Sequence, residues 1–481
     1  METLKLKKIT ALWIIVIMVL FVVAIVLGIL MRLNQGGVIT QSPITFYTNM
    51  TTHGLTMIGI WFVAGMAAIH YIAQRYVNVN SWSNKFAFAL TVIGILMLWT
   101  STFIGKFNAG WTFLYPLPLK IMWAKWATPL FLWSLVVLVV GWLVWTIDMM
   151  VQILKKYTLA QSFAWQYFSR KNPEVQTPPF ILISMISLTG ILTCLIAGAT
   201  VVALFFAEYY SNGDFVNDAL LMKNFIYYFG HTLANEMLYL GLAVLYELFP
   251  EVGGRPKWKT TWYVAIAWNL TLIFILTAFL HHLYMDFVQP EGLQIIGQLA
   301  SYLASLPAAA ITIFSVIIAV YKTNLRWNLV NLLFFFGVIG WAIGGLGAVI
   351  DATISNNFVL HNTLWVPAHF HTYNAMGNVL FSLAFFQWFS MQYAGEQAKE
   401  KMLYLKAAFL LIGGIGFLFA FYTGGAQGVP RRFSNYPAEL ADAPMLAFWG
   451  ALFAIAYLVA ILLFLTDIGK RCISVLLARS S

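Results

Sequence analysis

Long apolar stretches alternate with short polar connections along the whole chain. Twelve of the stretches have the roughly 20–28 residues that an α-helix needs to cross the hydrocarbon core of a membrane. They lie near residues 10–32, 53–76, 84–105, 126–149, 179–207, 225–249, 262–286, 294–321, 327–350, 364–391, 403–424 and 444–466. We find no soluble domain, no low-complexity linker and no internal repeat between them. The pattern predicts an all-α, polytopic membrane protein whose residues 1–481 form one integral-membrane domain.

The composition agrees with this prediction. The chain has 481 residues, 61% hydrophobic and 9% charged, with a mean hydropathy of +0.81, whereas soluble domains carry far more charge. The first apolar run continues to about Leu33 without a small-residue cleavage site, which predicts an uncleaved span rather than a signal peptide. The two cysteines, Cys194 and Cys472, form no CxxC motif, so redox chemistry would need histidines, carboxylates or a bound cofactor.

The basic residues are distributed unevenly between the two sides of the predicted bundle. Twenty of the 27 lysines and arginines fall at the termini or in the even-to-odd connections, among them Lys5, Lys155, Arg170 and Lys171. The opposite side holds seven: Arg32, Lys106, Lys120, Lys125, Lys223, Arg431 and Arg432. The positive-inside rule therefore predicts that both termini are cytoplasmic. Because topology explains the net charge of +10, we expect no nucleic-acid partner.

Six of the eight histidines share one layer in the predicted outer half of the membrane. They come from four predicted helices: His53, His231, His281, His282, His369 and His371. Ionisable side chains are costly in lipid and usually mark function, and imidazole is the commonest metal ligand. The alternative is that each histidine is buried beside a neighbour or lines a water path. Six at one depth favour a metal centre.

Helical geometry restricts how these histidines can be used. Adjacent His281 and His282 point about 100° apart on a helix, so both reach one metal only if another helix adds a ligand. His369 and His371 face nearly opposite sides, which suits two planar cofactors flanking one helix. His53 can then supply a second axial ligand to one cofactor, and the other keeps an open face for substrate.

The motifs around these histidines resemble those of the haem–copper oxidase superfamily, in its catalytic subunit I. The chain contains "THG" at His53, "FGH" at His231, "FLHH" ending at His282, and "HNTLWVPAHFH" ending at His371. A further motif, "VPRRFSNYP", spans 429–437 on the predicted outer side. The resemblance covers essentially the whole chain and favours the B-type branch.

The resemblance implies a role for each site residue. His53 and His371 would ligate a low-spin haem, of type b, and His369 a high-spin haem of the b3 or a3 kind. The second metal would be held by His231, His281 and His282, and three imidazoles favour copper over iron. The haem propionates would be bound near four residues: Arg431, Arg432, His361 and Asn362.

The resemblance also implies partners and a location. The chain contains no electron-entry site, so we expect a partner subunit bearing copper or a c-type haem, with quinol as another possible donor. The substrate would be a small gas. The location would be the plasma membrane of a prokaryote, in contact with its lipids.

The chain departs from the oxygen-reducing members of the superfamily at one position. A- and B-type oxidases carry a tyrosine four residues after the first metal-binding histidine, cross-linked to it, and this position is Asn235. C-type oxidases place their tyrosine six residues before the HH pair, and this position is Ile275. Superfamily members that lack the tyrosine are typically nitric oxide reductases. We therefore expect reduction of two NO to N2O and water, as in denitrification.

Two polar residues beside His231 are candidates for that chemistry. Asn235 would face the metal and hydrogen-bond bound NO; the alternative is an amide that packs between helices. Glu236, the only carboxylate deep in a predicted helix, lies about 140° away from the His231 direction around the helix, counted over five residues. It would deliver protons rather than bind metal. The alternative is a carboxyl hydrogen-bonded between helices.

The eighth predicted helix also departs from the B-type pattern. Hydroxyl residues are expected one, four and seven residues after Pro307, but Thr312 and Ser315 are each one residue out of register, while Tyr246 matches a hydroxyl of the B-type proton route. This predicts weak proton supply. Two other functions stay open. One is an oxygen reductase with a substitute tyrosine such as Tyr302, and the other is a transporter, which would not explain the histidine layer.

Overall fold

The long helices follow the predicted spans closely. The structure, a computed structural model, describes residues 2–120, 122–169, 173–211, 213–393 and 400–478. The long helices are α1 Glu2–Gln35, α2 Pro43–Ala73, α3 Ser81–Trp99, α4 Ala127–Lys156, α5 Pro179–Tyr210, α6 Ala219–Val252, α7 Trp262–Ala278, α8 Gly292–Val320, α9 Leu329–Ala352, α10 in the segments Trp365–Tyr373 and Val379–Met391, α11 Glu400–Ala426 and α12 Ala443–Leu477. Arg170 and Lys171, two of the predicted inner cations, lie outside the described residues.

The all-α prediction is confirmed, since the described residues contain no β-strand. Ten of their helices are long and apolar enough to cross a membrane. The other two predicted spans are α6, which carries His231 and Asn235, and α10, which carries His369 and His371. A π-helical turn, Asn374–Asn378, joins the two segments of α10, and such turns are frequent at functional sites.

Helix α2 starts ten residues before the predicted start, so His53 lies well inside it rather than at its outer end. Ser42 caps the helix by accepting a hydrogen bond from the Thr45 amide, and Pro43 occupies the first turn, where no amide proton is needed. Most of the polar residues that hid this extension form local hydrogen bonds. Thr51 and Thr52, for example, donate to backbone carbonyls one turn earlier.

Helix α6 lies at the centre of the bundle. Every residue from Asn235 to Pro250 is buried, and the helix packs against α2, α5, α7, α9 and α10. Glycines permit the close approaches: a methyl group on Gly65 would meet Leu240, and one on Gly241 would meet Phe381. The deep burial of α6 gives its polar side chains a fixed, water-poor environment.

The buried positions of α8 differ from those that the B-type spacing after Pro307 predicts. Its buried positions follow a four-residue spacing through Ala304, Ala308, Thr312 and Val316, so Thr312 lies on the interior face. Its hydroxyl is 3.0 Å from the Tyr246 hydroxyl. The register change after Pro307 therefore does not remove this contact.

Candidate metal centre

His231 of α6 and the adjacent pair His281 and His282 form a compact three-imidazole cluster. One ring nitrogen from each lies within 4.8 Å of the others, a spacing that one metal ion can bridge. The pair lies on a 3₁₀ turn, Phe279–Leu283, that ends α7. This tighter turn directs both rings toward α6, and α6 supplies the third ligand that the sequence required.

Neighbouring residues orient two of these rings. His281 Nδ1 lies 2.9 Å from Ser301 Oγ on α8, which leaves Nε2 without a hydrogen-bond partner among the described residues. The ring of Tyr227 lies nearly parallel to His282, with centroids 5.0 Å apart. Such second contacts fix the ring nitrogen that a metal uses. The unpartnered nitrogen of His281 fits a metal ligand.

His53 and His371 face each other from α2 and α10. Their rings are nearly parallel, 17° apart, with centroids separated by 6.3 Å. Each Nδ1 lies 2.7 Å from a backbone carbonyl, Ala24 for His53 and Pro367 for His371, which leaves both Nε2 atoms available. Two metal–nitrogen bonds of about 2 Å would place the ring centres roughly 6 Å apart. The pair therefore fits the two axial ligands of one haem.

His369 lies on the same turn of α10 and lines the cavity between the two histidine groups. Its Nε2 is 3.4 Å from Asp351 Oδ2 at the end of α9. Asp351 is 1% exposed and was missed by the sequence analysis, because α9 extends two residues past its predicted end. Glu236 is therefore not the only buried carboxylate of the described helices, although Asp351 lies at a helix end rather than deep in a helix.

Asn235 lines the cavity one helical turn from His231. Both polar atoms of its side-chain amide form hydrogen bonds. Its Nδ2 donates to the His231 carbonyl at 2.8 Å, and its Oδ1 accepts from the Tyr373 hydroxyl at 2.8 Å. Tyr373 belongs to α10 and lines the same cavity. Tyr373 could not be predicted as a site residue from the sequence, because no motif around it indicates that its hydroxyl contacts α6.

Glu236 points to the other side of α6, toward α5. It is fully buried, and a methyl group on Gly190 would meet its carboxyl. Ser187, one helical turn from Gly190 on α5, is also fully buried. Glu236 is absent from the cavity lining, so the structure separates it from the three-imidazole cluster.

The residues expected around the haem propionates come together at the predicted outer end. Asn362 Oδ1 accepts from Arg431 Nε and Nη2 at 3.2 and 2.9 Å, and the Arg431 amide donates to the Asn362 carbonyl. Burial, reinforced by the charge of Arg432, lowers the pKa of Arg431 to about 10, so it remains a cation at neutral pH. Burial also lowers the pKa of His361, which favours its neutral form.

A third arginine faces the same cavity and was predicted only as a topology marker. Arg32, in the last turn of α1, is 8% exposed, and its Nη1 donates to Gln35. Its Nε and Nη2 are buried without a partner among the described residues, as is Nη2 of Arg432. Buried guanidinium donors without partners fit an anionic group such as a haem carboxylate.

One continuous cavity of about 370 Å³ connects these groups. All six histidines of the layer and the three arginines, Arg32, Arg431 and Arg432, line it. Its walls are otherwise mostly apolar, among them Phe21, Trp61, Phe370 and Phe421. A planar, largely apolar cofactor with acidic edges suits such a space.

Residues 8–459 match the family model described as "Cytochrome C and Quinol oxidase polypeptide I". Cytochrome c oxidase subunit 1 of Synechocystis sp. is 26% identical over 419 residues, 84% of this chain and 72% of the relative. Cytochrome c oxidase polypeptide 1 of Halobacterium salinarum is 24% identical over 435 residues, 85% and 68% of the two chains. Cytochrome bo(3) ubiquinol oxidase subunit 1 of Buchnera aphidicola is 25% identical over 406 residues, which are 80% of this chain and 58% of the relative.

A solved structure of a haem–copper terminal oxidase dimer has the same fold. Its TM-score to this chain is 0.80 at 22% sequence identity, and the match covers 99% of this chain and 85% of the other.

Proposed function

Because the chain belongs to the haem–copper oxidase family, as its subunit I, we propose that it is the catalytic subunit of a respiratory nitric oxide reductase. Family membership makes it a multi-pass membrane oxidoreductase that binds a low-spin haem, a high-spin haem and copper. The proposed reaction takes two NO, two electrons and two protons to N2O and water.

The ligand assignment follows the geometry of the cavity. His53 and His371 would hold the low-spin haem, and His369 the high-spin haem after its Nε2 turns from Asp351. The three-imidazole cluster would hold copper. Arg431 and Arg432, with Asn362 and His361 beside them, would bind the haem carboxylates, and Arg32 joins them because its unpartnered donors face the same cavity.

Asn235 is the observation on which the choice of substrate depends. When bound, the high-spin haem and the copper supply two adjacent sites for the gas and its electrons. An amide at residue 235 cannot lend an electron or be cross-linked to His231, and pairing two NO does not require either. One Nδ2 proton of Asn235 is committed to the His231 carbonyl, so the second is free to bond to substrate.

The proposal includes partners that the chain itself does not contain. Subunits I of this family work with other subunits, and relatives are named for cytochrome c and for ubiquinol. We propose a partner subunit that carries copper or a c-type haem, with quinol as the alternative donor. The complex would sit in a prokaryotic plasma membrane with both termini of this chain in the cytoplasm, and Glu236 would serve proton delivery from the α5 side.

Reduction of O2 to water is the second candidate, and Tyr373 favours it. The relatives reported above are named as cytochrome c and ubiquinol oxidases, and the Tyr373 phenol, on α10 rather than α6, donates to Asn235 and lines the same cavity as the histidines. Tyr302 is not that phenol, because its hydroxyl lies 2.6 Å from Thr353 Oγ1 and the residue does not line the cavity.

Rates of NO and O2 consumption by one preparation of the purified complex separate the two candidates. A haem spectrum and copper analysis of that preparation come first, because a transporter would have neither cofactor. Faster NO consumption with N2O as product supports the proposal. Dominant O2 turnover with little NO reduction would replace it by the second candidate.

A further inference from the structure

A column of hydroxyl groups leads through the bundle to Asn235. It begins with Thr312 and Tyr246, whose hydroxyls are 3.0 Å apart. Two turns further along α6 is Tyr239, and the ring of Trp268 lies between the two tyrosines, with centroids 5.4 Å from Tyr239 and 6.3 Å from Tyr246. The column therefore follows the buried face of α6 toward the histidine layer.

Tyr239 connects this column to α10. Its hydroxyl is fully buried and makes no hydrogen bond among the described residues, and Tyr239 lies one helical turn from Asn235 on the same face of α6. Tyr373 in turn donates to Asn235 Oδ1 at 2.8 Å. A buried hydroxyl normally has a partner, supplied by protein or by ordered water, and the Asn235–Tyr373 pair is the next polar group along this face of α6.

We propose that the Tyr373 hydroxyl is the last proton-relaying group before the metal site, in place of a side chain at residue 235. This inference rests on the proposed assignment of the metal site but not on the identity of the gas. Tyr373 gives its proton to substrate and receives one from the Tyr239 side in the same relay, so the phenol is neutral before the relay begins and after it ends. The net result is one proton moved from the column to the substrate.

Asn235 is the positioning residue in this arrangement. Its Nδ2 is held by the His231 carbonyl, so its Oδ1 keeps a fixed position and holds the Tyr373 hydroxyl at the edge of the cavity. A leucine at 235 would leave the phenol without this acceptor. The π-helical turn that begins at Asn374 directly follows Tyr373 and alters the register of α10 beyond it.

The test compares Tyr373→Phe with Tyr228→Phe in the purified complex. Tyr228 is a matched control on α6, since its hydroxyl bonds to Thr193 of α5 at 2.9 Å and belongs to a separate contact. Proton uptake during a single turnover, followed with a pH-indicator dye, gives a readout independent of steady-state activity. The infrared stretch of CO bound to the reduced enzyme reports on the metal site directly.

We expect Tyr373→Phe to slow proton uptake by about 100-fold, within the range for loss of a positioned proton donor, and to shift the CO stretch. Tyr228→Phe should change neither. Tyr239→Phe, farther from the histidines, should slow uptake but leave the CO stretch unchanged. Proton uptake at the wild-type rate in both Tyr373→Phe and Tyr239→Phe would overturn the proposal. The assay uses whichever gas the wild type consumes, so failure of the nitric oxide proposal is a separate result.

Discussion

The positions of several site side chains are fixed by hydrogen bonds to residues of other elements. Asn235 is fixed by Tyr373, His281 by Ser301, and Arg431 by Asn362. The histidines were predictable from the sequence, because each lies in a motif with fixed spacing. Tyr373 was not, because its role depends on a contact 138 residues away along the chain.

Ser301→Ala tests the support of the copper ligands. Loss of the hydroxyl frees His281 Nδ1, and we expect copper affinity to fall by about 10–100-fold with haem content unchanged. Ser315→Ala is the control on the same helix, because its hydroxyl bonds to the Ile311 carbonyl, as Ser301 does to that of Gly297. Copper titration with a competing chelator measures both. Equal copper affinities in the two variants would refute the role of Ser301.

At the scale of helices, the predicted spans were accurate where apolar residues are continuous and failed where polar residues are buried. The predicted α2 was too short because the first turns of the helix contain threonines and an asparagine, most of which form hydrogen bonds within the folded protein. The 3₁₀ turn at His281 and the π turn at Asn374 leave no trace in an apolar pattern, since both depend on tertiary packing.

The contact between α5 and α6 at Gly190 provides a test of packing. Gly190→Ala would push a methyl group into the Glu236 carboxyl, and we expect it to destabilise the fold by about 1–3 kcal/mol. Gly345→Ala in α9 is the control, because a methyl group there meets no neighbour within 4 Å; it should be neutral or slightly stabilising. Thermal unfolding followed by haem absorbance compares them, and equal midpoints would contradict the described contact.

At the scale of the whole molecule, the described helices form a bundle around the cavity that the six histidines line. Hydropathy and six histidines were sufficient to predict the fold and the metal centre, because burial in lipid leaves few other arrangements. The cavity itself, with Arg32 in its wall, and the contact of Asp351 with His369 could not be predicted, because both depend on how α1, α9 and α10 pack.

The distribution of basic residues gives a prediction for the whole chain. Both termini should be cytoplasmic, because twenty of the 27 lysines and arginines lie on their side. A C-terminal fusion to a fluorescent protein should fluoresce, and one to a periplasmic phosphatase should be inactive. The reverse result would show that the chain has the opposite orientation in the membrane, with the histidine layer near the cytoplasmic side.

We propose that Asn235 marks an enzyme for nitric oxide. The most direct measurement supplies isotope-labelled NO and O2 together to the purified, reduced complex and follows both gases and N2O by mass spectrometry. We predict that one labelled N2O forms for every two NO consumed and that O2 is consumed more slowly than NO. Rapid O2 consumption without labelled N2O would contradict it and would assign the chain to the oxygen reductases.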